Sequence, residues 1–326
     1  MIGQQLVSQS ESEIVAELLR RDAFVMVSHV KPDGDTLGAG LALGIALKRI
    51  GKRVHYFQQD PVPRNLRFLP DAQFVSRDVP ADLPADTLWV FCDMSDYARA
   101  GEFLPKIDRE NMLDIDHHLG NAHFGAFNFV IPTECSTGTA VMRLFRQMKV
   151  AIDRDLATCL LTTIMTDTGG FMHSNTSPDV LDLSAELMRA GADKEQITEE
   201  IFANKRVAAT RLLGRIIDEM QFGFDGRYCC SHVDDAMLAE TGADGEDTED
   251  VVNVLRGQEN VEVAALFKAY DGEIRVSLRS NGRVNVQAAA ARLGGGGHFR
   301  ASGLTYYGTL PDAYAAVEAA LSAEGL

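Results

Sequence analysis

The sequence predicts an α/β protein with two domains, and three observations indicate this. The chain has 326 residues, which exceeds the roughly 100–200 residues of one ordinary domain. In its first part, short apolar segments alternate with helical ones, a pattern typical of a parallel sheet with flanking helices. From about residue 222, the segments YCCSHV, VEVAALFKAY and EIRVSLRS are typical of antiparallel strands, which indicates a smaller mixed α/β domain.

The predicted elements follow in chain order. A capping box of Ser10 and Glu13 predicts a helix that runs to about Arg21. Predicted strands cover residues 23–29, 53–57, 88–93 and 112–116, and predicted helices cover 36–50, 137–148, 154–166, 178–190 and about 194–220. In the second domain, a helix near 285–293, a run of glycines and a terminal helix follow the strands. We therefore divide the chain into residues 1–191, a helical connector over 192–215, and residues 216–326.

The composition excludes several classes of protein. The formal net charge is −16, whereas a protein that grips long nucleic acid usually needs an extended basic face. No segment reaches the roughly 18–20 consecutive apolar residues of a membrane span, and the first residues do not resemble a secretory signal. The five cysteines show no CxxC pairing, which is typical of a protein in a reducing cytosol and argues against a structural zinc site. We expect a cytoplasmic protein that binds neither membranes nor long duplexes.

Acidic residues and histidines end several predicted elements. The pattern H-x-x-x-D-x-D follows the first strand, CDMSD and a DHH triplet end two others, and a TDTGG turn ends a helix. The carboxyl ends of parallel strands meet at one edge of a sheet, where open α/β sheets bind ligands. We therefore expect these side chains to lie together. They are His29, Asp33, Asp35, Asp93, Asp116, His117, His118 and Asp167.

Such a cluster of carboxylates requires cations. Five aspartates at one edge would repel each other strongly, and two divalent ions would supply four compensating charges. The mixed histidine and aspartate set favours Mn²⁺, with Co²⁺ or iron as alternatives, over all-oxygen Mg²⁺ sites, although Mg²⁺ stays open. Two ions roughly 3.5–4 Å apart can clamp a phosphoryl group for in-line attack. The sequence thus predicts a two-metal phosphoesterase.

Other polar residues receive no functional role. A single strand-end aspartate more often caps a helix, and Asp35 taken alone could cap the helix that begins at Thr36. We expect Asp96 and Asp114 to be solvated. Three histidines are read as packing or surface residues: His55, His123 and His173.

At these motifs the sequence resembles the DHH phosphoesterase family. HVKPDGDTLGAG, VFCDMSD, DIDHHLGN and MTDTGGF occur in the family's order, and VSLRSNGRVNV and LGGGGHFRASG resemble its accessory DHHA1 domain. The length and layout are similar to the NrnA-like group, which cleaves nanoRNA and adenosine 3′,5′-bisphosphate (pAp). RecJ-type exonucleases carry a further domain, and family II pyrophosphatases have a different second domain without the GGGGH run.

The resemblance implies a role for each residue of the cluster. One metal ion would bind His29, Asp33 and Asp93, and the other would bind Asp35, Asp93, His117 and Asp167, so that Asp93 bridges them. His118 would face the phosphate, where it stabilises developing charge or assists the leaving group. Asp116 would orient a histidine or the strand end. The implied catalytic residues are His118, Asp93 and Asp116.

The glycine run in the second domain predicts a substrate clamp. Consecutive N–H groups of such a turn can form an anion-binding nest. Arg279 ends a strand-like segment, where its guanidinium fork could bind a phosphate bidentately. The candidate substrate-binding residues are Arg279, Ser280, Gly295, Gly296, Gly297 and His298, whereas Arg300 and Asn285 are expected to be a surface residue and a helix start. Closure about the connector would limit substrate length.

The leading functional hypothesis is the hydrolysis of short RNA or DNA oligomers, together with removal of the 3′-phosphate of pAp. Cleavage of cyclic dinucleotides, or of their linear pApA-type products, is the enzymatic alternative, because the same metal centre would suit it. A non-catalytic nucleotide sensor is the alternative from another class. Such a sensor would be expected to lose metal ligands, and this sequence keeps each type. A homodimer is left open.

Overall fold

The computed structural model of the protein describes residues 8–249, 251–270 and 273–326. The chain forms two compact units, Met1–Asn204 (unit 1) and Lys205–Leu326 (unit 2). Each unit contains a six-stranded sheet, parallel in unit 1 and mixed in unit 2, which confirms the predicted α/β fold class. The first seven residues of the predicted first domain lie outside the described residues. The separate connector over 192–215 stays a prediction.

Unit 1 is built from parallel strands and the helices that cover them. Its strands are β1 (Ala23–Val27), β2 (Arg53–Phe57), β3 (Val75–Ser76), β4 (Leu88–Cys92), β5 (Met112–Asp116) and β6 (Phe127–Val130). Its helices are α1 (Glu11–Arg20), α2 (Gly34–Arg49), α3 (Thr137–Met148), α4 (Arg154–Asp167), α5 (Pro178–Arg189) and α6 (Lys194–Thr198). The short strands β3 and β6 were not predicted, because neither has a long apolar run.

The strand order of unit 1 places a crevice between the carboxyl ends of β1 and β4. The order is β3-β2-β1-β4-β5-β6, and all neighbouring strands are parallel. The chain leaves the central strand β1 toward one edge and later returns to β4 on its other side. This reversal between β1 and β4 is the switch point at which open α/β sheets bind ligands beyond the carboxyl ends of the strands.

Alternating residues of β1 supply two apolar layers. Phe24 and Met26 pack in the cluster that contains the helices, whereas Val25 and Val27 pack in a second cluster with Trp89 on the other face. Because side chains alternate across a strand, a strand buried on both faces is apolar throughout. Burial on both faces holds β1 in place, and β1 is followed directly by the segment that carries His29.

Helices α2 and α4 pack closely at a glycine. A Cβ built on Gly38 would lie 2.7 Å from the Cys159 carbonyl oxygen and 2.6 Å from Thr163 Cγ2. No side chain fits at this distance, so glycine allows the close approach of the two helices. The start of α2 and the end of α4 both carry acidic residues of the predicted cluster, and this contact sets their separation.

The predicted helix over about 194–220 is broken in the structure. Helix α6 continues as a π-helical turn over Glu199–Ala203, and a separate helix α7 covers Val207–Asp218. Ile197 and Ile201 pack in the core of unit 1, whereas Leu212 and Ile216 pack in a core of unit 2. The two apolar faces belong to different cores, so one continuous helix does not form.

Unit 2 contains a mixed sheet with helices. Its remaining elements are β7 (Gln221–Gly223), β8 (Tyr228–Asp234), α8 (Asp235–Thr241), α9 (Val251–Arg256), β9 (Val263–Tyr270), β10 (Glu273–Ser280), α10 (Val286–Arg292), β11 (Gly296–His298), β12 (Ala301–Tyr306) and α11 (Leu310–Ser322). The strand order is β11-β12-β10-β9-β8-β7. β8 and β9 pair in parallel, whereas the sequence predicted only antiparallel strands. The helices between them form the crossover that parallel pairing requires.

The glycine run is partly a strand rather than a simple turn. Gly296–His298 form β11, which pairs antiparallel with β12. A Cβ on Gly295 would lie 2.3 Å from the Gly303 carbonyl oxygen, and a Cβ on Gly297 would lie 2.6 Å from the Ala301 carbonyl oxygen. Two of the glycines are therefore needed for close strand packing.

Two global expectations can be compared with the structure. All five cysteines are free and buried. Among the described residues, no helix combines the length and the apolar character that crossing a bilayer requires.

Candidate metal centre

The first part of the cluster lies at the carboxyl end of β1. His29 is only 2% exposed, and its Nδ1 donates to the Val30 carbonyl oxygen at 2.8 Å. Its Nε2 is buried without a hydrogen-bond partner and faces Asp93 Oδ2 at 3.4 Å and Asp33 Oδ2 at 3.7 Å. A ring nitrogen that is buried, bare and aimed at two carboxylates has the arrangement of a metal ligand whose other nitrogen is held by the protein.

Asp33 and Asp35 are held by the starts of two helices. Asp33 is the N-cap of α2 and accepts from the Asp35 and Thr36 N–H groups through Oδ1, at 3.0 and 3.1 Å, which leaves Oδ2 directed at His29. Asp35 is fully buried and accepts from the N–H groups of Thr137 and Gly138, at 2.7 and 3.0 Å. The reading of Asp35 as a simple cap at Thr36 is therefore wrong, because Asp33 caps α2 and Asp35 binds the start of α3.

Asp93 lies at the middle of the cluster. It follows β4 directly, and its φ of 63° is left-handed, which turns its side chain away from the strand direction. Its Oδ2 faces His29, while its Oδ1 lies 3.6 Å from His117 Nε2 and 3.5 Å from His118 Nδ1. The two oxygens thus point to different groups of donors, as a bridging ligand requires.

The DHH triplet at the end of β5 presents its two imidazoles differently. His117 Nδ1 donates to the Glu134 carbonyl oxygen at 3.2 Å, so that Nε2 faces Asp35, Asp93 and Asp167 at 3.8, 3.6 and 3.3 Å. His118 instead donates through Nδ1 to the fully buried Asp116 at 2.6 Å. His117 therefore has the orientation of a metal ligand, whereas His118 is oriented by a carboxylate.

Asp167 is the last residue of α4 and is followed by an unusual turn. Gly169, Gly170 and Phe171 all have positive φ, at 58°, 67° and 72°. His173 Nδ1 and Asn175 Nδ2 donate to the Asp167 carbonyl oxygen, both at 3.2 Å. These bonds satisfy the helix end and fix the backbone from which the Asp167 carboxylate reaches His117.

The charges of the cluster are strongly coupled. Burial raises the pKa of Asp35 well above its usual value, and the Asp93 and Asp167 carboxylates raise it further. Burial and the Asp93 charge also raise the pKa of Asp167. Burial lowers the pKa of His29, but Asp33 and Asp93 outweigh it and raise the value to about 10. The cluster therefore holds more negative charge than the protein itself compensates.

The donor atoms are close enough to bind cations. Three sets have ligand atoms that all lie within 4.8 Å of one another: His29, Asp33 and Asp93; Asp35, His117 and Asp167; and Asp93, His117 and His118. The buried bare nitrogen of His29 and the crowded carboxylates fit a metal centre, since divalent cations would satisfy both. The six predicted metal ligands therefore converge within unit 1.

Asp114 differs from the expectation. It was predicted to be solvated, but it is fully buried in β5, an interior strand of the sheet. The Nδ2 of Asn121 lies 2.8 Å from Asp114 Oδ2, 2.6 Å from Asp116 Oδ2 and 3.1 Å from the Met94 carbonyl oxygen. One amide group has two hydrogens for these three acceptors. Burial raises the pKa of Asp114 well above its usual range, and the nearby Asp116 raises it further, whereas the hydrogen bond from Asn121 lowers it.

The remaining expectations for unit 1 concern single residues. Asp96 is exposed, as predicted, and caps a short helical turn through the Ala98 N–H. Two residues beside the cluster, Asn121 and Thr137, were not predicted from the sequence. The backbone N–H of Thr137 donates to Asp35, and the Thr137 hydroxyl donates to Asp93 at 3.2 Å. The spacing DHHLGN and the helix start predicted at residue 137 are the signals that could have identified them.

The predicted substrate-binding residues lie in unit 2. Arg279 and His298 pair with the same residue, Ala301, from opposite sides of β12, so their backbones are neighbours across one strand. The side chain of His298 lies outside the part that the structure describes. The Ser280 hydroxyl is buried, donates to Glu262 at 3.2 Å and accepts from the Gly282 N–H at 3.0 Å. Ser280 thus has a structural role, and its contact with substrate stays a prediction.

Two weaker candidates in unit 2 behave as expected. Asn285 caps α10 by accepting from the Gln287 and Ala288 N–H groups, both at 3.1 Å. Arg300 is exposed and lies against Gly282, where a Cβ would be 2.8 Å from its Nη2.

Comparison with known proteins agrees with this geometry. Residues 23–164 match the DHH family, N-terminal domain, and residues 225–323 match the DHHA1 domain. A bifunctional oligoribonuclease and PAP phosphatase NrnA from Thermus thermophilus is 35% identical, and the alignment covers 95% of this chain and 93% of that protein. The chain belongs to the DHH family.

Solved structures of other proteins share the fold of this DHH protein. An exopolyphosphatase-related protein from Bacteroides fragilis has a TM-score of 0.87 and 26% identity, and the match covers 98% of both chains. RecJ from Thermus thermophilus, solved in complex with Mn²⁺, has a TM-score of 0.53 and 16% identity, over 96% of this chain and 54% of RecJ. The RecJ match shows a common fold.

Proposed function

We propose that this DHH protein is a phosphoesterase that uses two Mn²⁺ ions to cleave short oligonucleotides and to remove the 3′-phosphate of pAp. The observation that carries the proposal is the convergence of six donors from four separate segments at the switch point of the sheet. The name of the Thermus thermophilus relative includes both activities, and that protein aligns with nearly the whole chain. Mg²⁺ or Co²⁺ could replace Mn²⁺ with this donor set.

The ligand assignment follows the directions of the side chains. One ion would be held by His29, Asp33 and Asp93, which form one of the close sets of donors. The other would be held by Asp35, Asp93, His117 and Asp167, and the two oxygens of Asp93 support a bridging position. When bound, the ions supply a nucleophilic hydroxide near neutral pH and neutralise charge on the phosphoryl oxygens.

His118 acts on the substrate rather than on the metals, and the buried Asp116 orients it. Burial lowers the pKa of His118, but its hydrogen bond to Asp116 and the charge of Asp93 outweigh burial, so the net pKa is raised. Burial raises the pKa of Asp116, but the hydrogen bond and charge of His118, together with the hydrogen bond from Asn121, outweigh burial, so that the net pKa is lowered. When protonated, His118 can stabilise negative charge on the phosphate or give a proton to the leaving oxygen.

The substrate-binding residues of unit 2 complete the proposal. Arg279, Ser280, the Gly295–Gly297 run and His298 would bind the part of the substrate that is not cleaved. A net charge of −16 supports small substrates over long nucleic acid. Five free cysteines support a cytoplasmic location.

A product-resolved hydrolysis panel with Mn²⁺ tests the function. It compares pAp, a linear dinucleotide, a cyclic dinucleotide, a pentanucleotide RNA and a long single strand. We expect turnover of pAp and of the two short linear substrates, and little of the long strand. Preferred cleavage of the cyclic dinucleotide would support the alternative phosphodiesterase. Nucleotide binding without any turnover would support the sensor hypothesis and contradict the proposal.

A further inference from the structure

Arg99 is attached to the segment that carries His29. It lies in the short helical turn Tyr97–Ala100, on the loop that begins with Asp93. Its carbonyl oxygen accepts from the Val30 N–H at 2.8 Å, and the Val30 carbonyl in turn accepts from His29 Nδ1 at 2.8 Å. The backbone of Arg99 is therefore bonded to the residue that follows His29, and it lies on the same loop as Asp93.

Within the described ranges, no carboxylate pairs with the guanidinium of Arg99. The side chain is partly buried, and among the described residues it forms neither an ion pair nor a hydrogen bond. Two other arginines of unit 1 are engaged: Arg109 donates to the Phe124 and Gly125 carbonyl oxygens, both at 3.0 Å, and Arg143 pairs with Glu11. A partly buried guanidinium without such partners keeps its donors for a ligand.

The charge of Arg99 nevertheless acts on the metal centre. Burial and the Asp33 and Asp93 carboxylates dominate the pKa of His29, and the positive charge of Arg99 lowers that pKa. Arg99 has the same effect on His118, after burial, Asp116 and Asp93. The Arg99 cation is therefore close enough to act on imidazoles that follow two different strands, β1 and β5.

Charge counting indicates what such a cation would bind. Four ligand carboxylates, from Asp33, Asp35, Asp93 and Asp167, balance the four positive charges of two divalent ions. A phosphodiester adds one negative charge and a terminal phosphomonoester adds about 1.5 to 2 near neutral pH. The negative charge of a bound phosphate is therefore not balanced by the ions, and the imbalance is largest for a monoester. One fixed guanidinium would compensate this negative charge.

We propose that Arg99 is a substrate-binding residue that contacts the non-bridging oxygens of the phosphate at the metal centre and favours terminal phosphomonoesters over diesters. The proposal rests on the proposed function and assigns part of the phosphate recognition to unit 1 itself. It is separate from the predicted clamp of Arg279 in unit 2.

Arg99→Gln tests the proposal by direct phosphate binding. Inorganic phosphate is titrated calorimetrically into the Mn²⁺-loaded full chain, and bound manganese is measured in parallel. Loss of a charged hydrogen bond should raise the Kd for phosphate about tenfold or more, with unchanged metal content. Arg99→Lys should give an intermediate Kd, since it keeps the charge and loses the fork. Arg53→Gln is the matched control. Arg53 is the first residue of β2 and so lies at the amino ends of the parallel strands, whereas the metal centre lies at their carboxyl ends.

The kinetic comparison tests the preference for monoesters. kcat/KM for pAp should fall more in Arg99→Gln than kcat/KM for a linear dinucleotide. A phosphate Kd within twofold of the Arg53→Gln control, or a loss of manganese, would overturn the role of Arg99 in binding phosphate. An equal loss on both substrates would overturn the monoester preference. If the unaltered protein hydrolyses neither substrate, the proposed function fails, while the phosphate titration still decides the role of Arg99.

Discussion

Replacing Gly38 by alanine should separate two helices that carry metal ligands. The new Cβ would lie 2.7 Å from the Cys159 carbonyl oxygen, so restoring an ordinary contact of about 3.5 Å requires a shift of roughly 0.8 Å. A carbonyl oxygen within a helix cannot turn aside as the end of a long side chain can. The start of α2, with Asp33 and Asp35, and the end of α4, with Asp167, should therefore move apart.

The expected magnitude follows from two opposed effects. Overpacking of a filled core lowers the free energy of unfolding by about 1–3 kcal/mol. Alanine in place of glycine inside a helix stabilises by about 1 kcal/mol. Gly40 of the same helix provides the matched control, because a Cβ there meets only Cys92 Sγ and Met26 Cβ, both at 3.8 Å. The two variants share the helix term, so their difference of about 1–3 kcal/mol is the overpacking effect.

Thermal unfolding and manganese titration measure this difference. For a domain of 150–250 residues, each kcal/mol shifts the Tm by about 2–4 °C, so Gly38→Ala should melt roughly 2–12 °C below Gly40→Ala. Gly38→Ala should also bind Mn²⁺ more weakly, whereas Gly40→Ala should bind it normally. Equal melting temperatures for the two variants would refute the argument that this glycine sets the spacing of the helices.

Three further predictions concern the site and the buried acid. Asp93→Ala should abolish turnover and weaken binding of both metal ions, as measured by metal analysis and hydrolysis of pAp; near-normal activity would remove the bridging role. Arg279→Ala should raise KM while manganese content stays unchanged, and a collapse of metal occupancy would instead contradict its assignment to substrate binding. Asp114→Asn should increase stability at neutral pH, because the raised pKa of the buried Asp114 in the folded state lowers the free energy of unfolding above the unfolded pKa of about 3.9. That gain should grow as the pH rises from about 4 and vanish below it, as chemical denaturation between pH 3 and 8 would show; a gain that does not vary with pH would contradict a raised pKa of Asp114.

Most of the metal centre could be predicted because its residues follow strands and helices with clear patterns. His29, Asp93 and His117 each come directly after an apolar segment, and parallel pairing then brings the ends of these segments to one edge. The same reasoning could not describe Asp114. Its neighbours in β5 are apolar, but only the position of β5 between β4 and β6 shows that this aspartate has no access to water.

Unit 2 was predicted less completely for a related reason. Alternating apolar residues identified β8, β9 and β10, but they do not specify the direction in which two strands pair. The parallel pairing of β8 with β9 depends on the crossover through α8 and α9. The strand character of Gly296–His298 depends on its partner β12, since a glycine run has no strand propensity of its own.

The sequence by itself determined the fold class, the family and the donor set of the metal centre, because these depend on residue types and their spacing along the chain. Only the tertiary structure decided which atom of each donor is available. Local hydrogen bonds occupy Nδ1 of His29 and His117 and one oxygen of Asp33, and thereby direct the Nε2 atoms of both histidines toward Asp93 and the free oxygen of Asp33 toward His29. The partners in these bonds include groups far away in the chain, such as the start of α3 that holds Asp35, and distant contacts of this kind follow from packing rather than from any local pattern.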